Sequence, residues 1–365
     1  MSAEKPTLVY VGTYTEKLFF VEGKGRGISV FALAAETGEL TPLSVGPDAV
    51  SPALLALAPG GRYLYAVNEC DRIDGHPGGA VSAFAIDPET GALAFLNRQH
   101  SRGHFPAFVA VDATGRLVVV GNHEDGTIAC FPVLPNGSLD EASDFIQHVG
   151  SSVHPQHQRG PHVHSVNFDP TNRYLVACDK GADRIVVYRI DLANGKLLPT
   201  DQPPTVAAPG SGPRHLAFHP SGHYAFVINE LSSTLSAFAF DPDSGALRET
   251  HALPTLPADY SGLNMTADVH VHPNGRFVYG SNRGHDSLAI FAFDEATERL
   301  SALGHVATGG AFPRAFNLDP TGRLLLAANQ NSDTIVAFSV DPDTGGLAPT
   351  GAVTRTPTPV CIRFA

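Results

Sequence analysis

Four histidines stand within the twelve residues 154–165, HPQHQRGPHVHS. Imidazoles at that density serve as metal ligands, as proton carriers near neutral pH, or as polar loop residues. Further along, chemistry-bearing residues recur in short motifs: Lys180 in ACDKG, Arg214 and His215 in GPRH, Glu230 in NEL. Asp268 and His270 lie in ADVHVHP, Arg283 in NRG, Arg314 in FPRAFN and Gln330 in ANQ. A carboxylate, several cations and imidazoles are the groups that ester-type hydrolysis needs. One activates water, others meet the developing oxyanion, and others hold an anionic substrate. Whether they meet depends on the elements that carry them.

Those elements repeat. The segments ETGEL, ETGAL, PNGSL, ANGKL, DSGAL, ATERL and DTGGL end at Leu40, Leu93, Leu139, Leu197, Leu247, Leu300 and Leu347. The period is about 51 residues, the scale of propeller repeats. Ahead of each comes a turn and an alternating apolar strand, as in PGGRYLYAVN, PSGHYAFVIN and PTGRLLLAAN. Ahead of that lies another strand, as in FPAFVAVDA, GPRHLAFHP and FPRAFNLDP. The N-terminal LVYVGTYT matches the second strand of a repeat, and the C-terminal TPVCIRFA matches the first. Four short strands per repeat, seven times, predict an all-β, seven-bladed β-propeller over residues 1–365 as one domain. The C-terminal strand should join the N-terminal blade and close the ring.

In a propeller the first strand of each blade lines the central channel. Counting from each Pro-like strand start predicts one ring of Ala53, Ala107, His162, Arg214, Asp268, Arg314 and Val360. Two residues on, the expected ring is Leu55, Val109, His164, Leu216, His270, Phe316 and Ile362. After the Asn or Asp that ends the second strand come Glu69, His123, Lys180, Glu230, Arg283 and Gln330, with Tyr14 from the split blade. The polar members crowd into the blades spanning 161–330. Burying so many cations is costly without an anion to meet them. Mutual pairing with Glu230 and Asp268 is the structural alternative.

Composition narrows the partners. The chain of 365 residues carries a formal net charge of −12 and only 16% charged residues, which argues against nucleic acid and anionic membranes. Thirty-six Gly and 29 Pro, spread along the chain, fit many tight turns. Cys70, Cys130, Cys178 and Cys361 form no CxxC pair and sit in apolar runs, so they read as buried hydrophobes. No apolar signal core opens the sequence, which predicts a cytoplasmic protein. His154 and His157 read as rim or solvated residues. His162 and His164 could join His270 or Asp268 around zinc, but neighbouring cations would repel the ion, so no metal and no cofactor are expected.

The segments PHVHSVNFDP, GPRHLAFHPSGHYAFVINELSS, ADVHVHPNGRFVYGSNRGHDS and FPRAFNLDPTGRLLLAANQ resemble the seven-bladed propeller lactonases. That family comprises cycloisomerase-type 6-phosphogluconolactonases and fungal 3-carboxy-cis,cis-muconate lactonizing enzymes. The resemblance spans essentially the whole chain and implies functional roles for His164, Arg214, Glu230 and Arg283, with Arg314 in the accompanying PR step. It does not account for the histidines of 148–164.

These readings converge on a metal-independent lactonase with a small anionic lactone as partner, foremost 6-phospho-D-glucono-1,5-lactone, acting as a monomer or weak homodimer. Glu230 or His164 would be the general base, Arg214 and Arg283 the oxyanion partners. Lys180, His215 and Arg314 would hold a phosphate or carboxylate, with His162, Asp268, His270 and Gln330 completing the pocket. No GxSxG elbow occurs, so a covalent acyl-enzyme is not expected. A muconate-type cycloisomerase, another sugar lactonase, a metal-dependent gluconolactonase and a non-catalytic binding scaffold are the competing readings.

Overall fold

The computed structural model describes residues 6–365, and no helix occurs among the described residues. None is therefore long and apolar enough to cross a membrane. Seven antiparallel sheets, six of four strands and one of five, follow one another along the chain, with two further two-stranded hairpins. Each sheet is a blade whose first strand lines the centre.

Closure follows the split-repeat expectation. Thr7–Thr13 pairs on one side with Pro359–Phe364 and on the other with Ser29–Leu33, so the first blade holds both ends of the chain. Satisfying the terminal strand's backbone this way removes an exposed edge. Blades 2 to 7 then begin at Leu55–Leu57, Pro106–Val111, Val163–Phe168, Pro213–Phe218, Met265–Val271 and Pro313–Leu318.

The second strands are buried on both faces, as in LVVVGN and LLLAAN, and so read as near-continuous apolar runs. Their side chains pack between neighbouring blades: Phe277, Tyr279 and Leu288 of blade 6 join Phe316, Leu325 and Phe338 of blade 7 in one cluster. Turn chemistry sets the strand starts. Asp169 accepts from the amides of Arg173 and Tyr174 at 2.8 and 2.6 Å, and Asp112 does the same for Arg116 and Leu117. All four cysteines are free and buried, as expected from their apolar context.

On the other face of the ring, loops after the second strands carry a second device. Asp183 accepts from the amides of Gly210 and Gly212, Asp286 from Phe312 and Asp333 from Thr358. Each aspartate thus fixes the entry into the next blade's inner strand. Gly212 sits at φ +66°, and a Cβ there would press on Leu231 and on the Lys180 side chain.

Candidate active site

The strand pairing corrects the ring drawn from sequence. Pro213 pairs with Asn229, Pro313 with Asn329, Val163 with Asp179 and Thr266 with Asn282. The residue that follows each lies at a bulge. The equivalent positions are therefore Ala53, Ala107, His164, Arg214, Ala267, Arg314 and Val360. His162 stands two residues ahead of that ring, because the Gly160–Pro161 step precedes the strand instead of opening it. Asp268 stands one beyond it.

The expected second ring changes with it: Leu55, Val109, Val166, Leu216, Val269, Phe316 and Ile362 are all apolar. His270 is displaced a further step down the channel. With Asp268 and His215 it lines a cavity of about 360 Å³, together with Phe108, Phe218 and Arg363.

The upper ring holds the charged centre. Glu230 is 5% exposed and accepts from Lys180 Nζ at 3.1 Å and from Arg283 at 2.9 Å. Arg214 Nε lies 2.8 Å from the same carboxylate but off the hydrogen-bonding direction, so that contact is ionic and its N–H has no aligned acceptor. Lys180 therefore turns into the site, and Asp183 is spent on the loop amides. The Arg214 guanidinium also donates to the Ala267 carbonyl and reaches His215 Nε2 at 3.1 Å. Arg283 donates to the Thr266 carbonyl at 2.8 Å and lies over the Phe312 ring at 5.2 Å.

Arg314 sits opposite, 3.5 Å from Glu69 Oε2, with its guanidinium over the Tyr14 and Phe20 rings. Tyr14 donates to Glu69 at 2.6 Å. Burial pushes the Tyr14 phenol far up, so it keeps its proton. The hairpin Lys17–Leu18/Val21–Glu22 brings Phe20 edge-on to Tyr14 and Phe19 edge-on to Phe105, forming an aromatic rim. Gln330 is buried but points toward that rim, with its amide on Asn331.

Electrostatics separate the groups. Burial alone would raise the Glu230 carboxyl, but Lys180, Arg283 and Arg214 outweigh it and hold it well below the carboxylate range. Burial, then Arg214, push His164 well below 6.5, so its imidazole is neutral; its Nδ1 is buried with no hydrogen-bond partner. Burial and Arg214 lower His215 to about 3, while Asp268 at 2.8 Å opposes them. His215 is thus a neutral ring fixed between Asp268 and Arg214, which corrects its expected place among the cations that hold an anion. Lys180 and Arg283 are also pressed downward by burial, with Glu230 opposing.

Two histidines form the wall of blades 3 and 4. His162 Nδ1 donates to the His123 carbonyl at 2.8 Å, and the two rings stack at 4.7 Å. His123, Glu124 and His162 each offer one ligand atom, all within 4.8 Å of one another. This grouping was not anticipated from sequence. The Lys180 charge is among the causes that depress His123, and it would oppose a dication there.

What meets is a carboxylate bound to three buried cations, a fourth cation across the void, and a neutral imidazole with an unspent nitrogen. The void, of about 10 Å³, lies beside the Arg214 end of that cluster and is lined by Glu69, His164, Arg214, His215, Asp268 and Arg314. Unsatisfied buried polar atoms cost roughly 1–3 kcal/mol each, and such costs gather where a ligand is to be met. The centre can polarise a carbonyl, hold an anion and accept a proton.

Comparison with known proteins agrees. The model of a family described as lactonase, 7-bladed beta-propeller, matches residues 8–364. A 6-phosphogluconolactonase from Bacillus subtilis is 36% identical over 355 residues, covering 97% of each chain. One from Formosa agariphila is 36% identical over 320 residues, covering 85% of this chain and 86% of its own. Among solved structures, the periplasmic gluconolactonase of Pseudomonas aeruginosa superposes with a TM-score of 0.91 at 34% identity over 99% of both chains. The chain belongs to the seven-bladed β-propeller lactonase family.

Proposed function

We propose that this protein hydrolyses 6-phospho-D-glucono-1,5-lactone to 6-phosphogluconate without a metal ion, the step that feeds the oxidative pentose phosphate route. The observation that carries the reading is Glu230 gathering Lys180, Arg214 and Arg283 beside the unpaired Nδ1 of His164. The names of the Bacillus and Formosa relatives support the substrate.

In this reading His164 is the general base. It takes a proton from water as the oxygen attacks the lactone carbonyl carbon. Arg214 Nε–H and Arg283 meet the oxyanion as charge develops. The ring C–O bond then breaks and the leaving oxygen takes the proton back from His164, giving the open hydroxy acid. Lys180 and Arg314 hold the phosphate. Burial chiefly keeps His164 unprotonated, and the substrate's negative charge offsets the cations that add to it, moving the base toward a useful range only once substrate is bound. Glu230, held ionised, orders the three cations and is not the base.

All of these residues come from one chain, so a monomer suffices. A phosphorylated substrate and free cysteines fit the cytoplasm. The test is acid release from freshly generated lactone with excess EDTA, with inorganic phosphate as competitor. Acceleration over the spontaneous rate that survives EDTA, with phosphate raising KM at unchanged kcat, supports the reading. Loss of activity in EDTA would move it to the metal-dependent alternative at His123, Glu124 and His162. No acceleration would leave muconates or a binding role.

A further inference from the structure

The histidine-rich segment between blades 3 and 4 contains a buried group that the proposed chemistry does not use. His148 Nδ1 lies 2.8 Å from Asp179 Oδ2, and the Tyr188 hydroxyl lies 2.9 Å from His148 Nε2. His148 and Asp179 have side chains 5% and 2% exposed. The other Asp179 oxygen accepts from the backbone amides of His162, Gly181 and Ala182 at 2.8, 3.1 and 3.0 Å. Those amides flank Lys180 and open the strand that carries His164. From the same segment, the buried Gln158 donates to the Lys180 carbonyl at 2.9 Å.

The internal repeat shows that this is a departure from the fold's own pattern. The residue at the end of the second strand, or one before it in blade 6, is Asn68, Asn122, Asn229, Asn282 and Asn329 in five blades and Thr13 in the first, but Asp179 in blade 4. Its partner from the preceding blade's outer edge is small elsewhere: Thr255 bonds Asn282 at 2.8 Å and Thr308 bonds Asn329, where blade 4 receives His148. Four residues before the strand end, the cross-strand partners are Phe31, Phe84, Phe131, Phe238, Phe291 and Phe338, but Tyr188 in blade 4. Three departures, two in blade 4 and one reaching it from blade 3, make one hydrogen-bonded chain. A propeller blade does not need it, since six blades do without.

We infer that His148 is a positioning residue for the active site: through Asp179, and braced by Tyr188, it fixes the turn that presents Lys180 to Glu230. A buried carboxylate accepting three amides and an imidazole N–H holds that turn more rigidly than an Asn–Thr pair, which fits a loop whose lysine must hold an anion. The inference rests on the role proposed above for Lys180, and its test has a readout that does not.

Amide exchange at His162, Gly181 and Ala182 is measured beside lactone hydrolysis in wild type, Tyr188→Phe, His148→Thr and His148→Thr/Asp179→Asn. The double variant rebuilds the Thr255–Asn282 pair. His148→Thr should exchange these amides about tenfold faster while blades 1 and 7 stay unchanged, and KM for the phosphorylated lactone should rise about tenfold with kcat within about twofold. The double variant should return both within about threefold, and Tyr188→Phe should move them about threefold. Wild-type exchange in His148→Thr, or a double variant no better than the single, overturns the inference. If the exchange pattern appears but wild type hydrolyses no lactone, the proposed function fails and the positioning device stands.

Discussion

The channel of this propeller has two unlike halves built on one backbone pattern. On the side of blades 1 to 3 the upper ring carries Val360, Ala53 and Ala107, each buried and small or apolar. Across it stand His164, Arg214 and Arg314, with Lys180, Glu230 and Arg283 one loop behind. The strands are alike in register, bulge and burial, so the fold places no demand that distinguishes the halves. What distinguishes them is charge that the fold must bury at a cost: three cations gather around Glu230, while Arg314 reaches across to Glu69. Function in this ring is an arc.

The largest effect should come from the arc's most buried cation. Arg214→Ala removes an oxyanion partner and a Glu230 contact, and kcat/KM should fall roughly 10³-fold, read by acid release against the spontaneous rate. Glu230→Gln comes next, at roughly 10²-fold, because a neutral amide no longer cancels three clustered cations. A pure binding scaffold would tolerate both, so wild-type activity in Glu230→Gln would erase the distinction between the halves.

Acid stability sharpens the same contrast. His123, His164 and His215 are held below 6.5 in the folded protein, chiefly by burial. The unfolded chain takes up protons below that value while the folded one does not. Stability is therefore intact above about pH 6.5 and falls as pH drops toward the folded values, by up to about 1.4 kcal/mol per unit for each histidine. Melting temperature between pH 7 and 5 checks this, and a flat or rising profile would contradict it. The smallest effect is expected at His270→Gln, whose residue lines the lower cavity: kcat and KM should stay within about twofold.

The sequence repeat alone disclosed the seven blades and the closure by Pro359–Phe364, because each depends on periodic patterning that survives in one chain, and the apolar runs around the cysteines disclosed their burial. Arg214, Glu230, Arg283 and Lys180 meet in the structure, since their strands begin at a proline or end at a paired residue. His162, Asp268 and His270 were drawn into the wrong rings. No proline marks the paired starts Val163 and Thr266, so the count began two residues early in blade 4, at Pro161, and one residue late in blade 6, where a one-residue shift moves a side chain to another face. The His148–Asp179 pair spans 31 residues and two blades, and no local spacing announces it. The Phe19–Phe20 rim rests on loop packing, which composition does not encode.

The most direct measurement of the central claim is the ratio of kcat/KM for 6-phosphoglucono-δ-lactone over the unphosphorylated glucono-δ-lactone, in wild type and in Lys180→Met/Arg314→Met. The account predicts a wild-type preference of roughly 10²-fold or more that collapses toward unity in the double variant, two charge-assisted contacts being lost. Equal use of both lactones by wild type, or a preference untouched by removing Lys180 and Arg314, would contradict it.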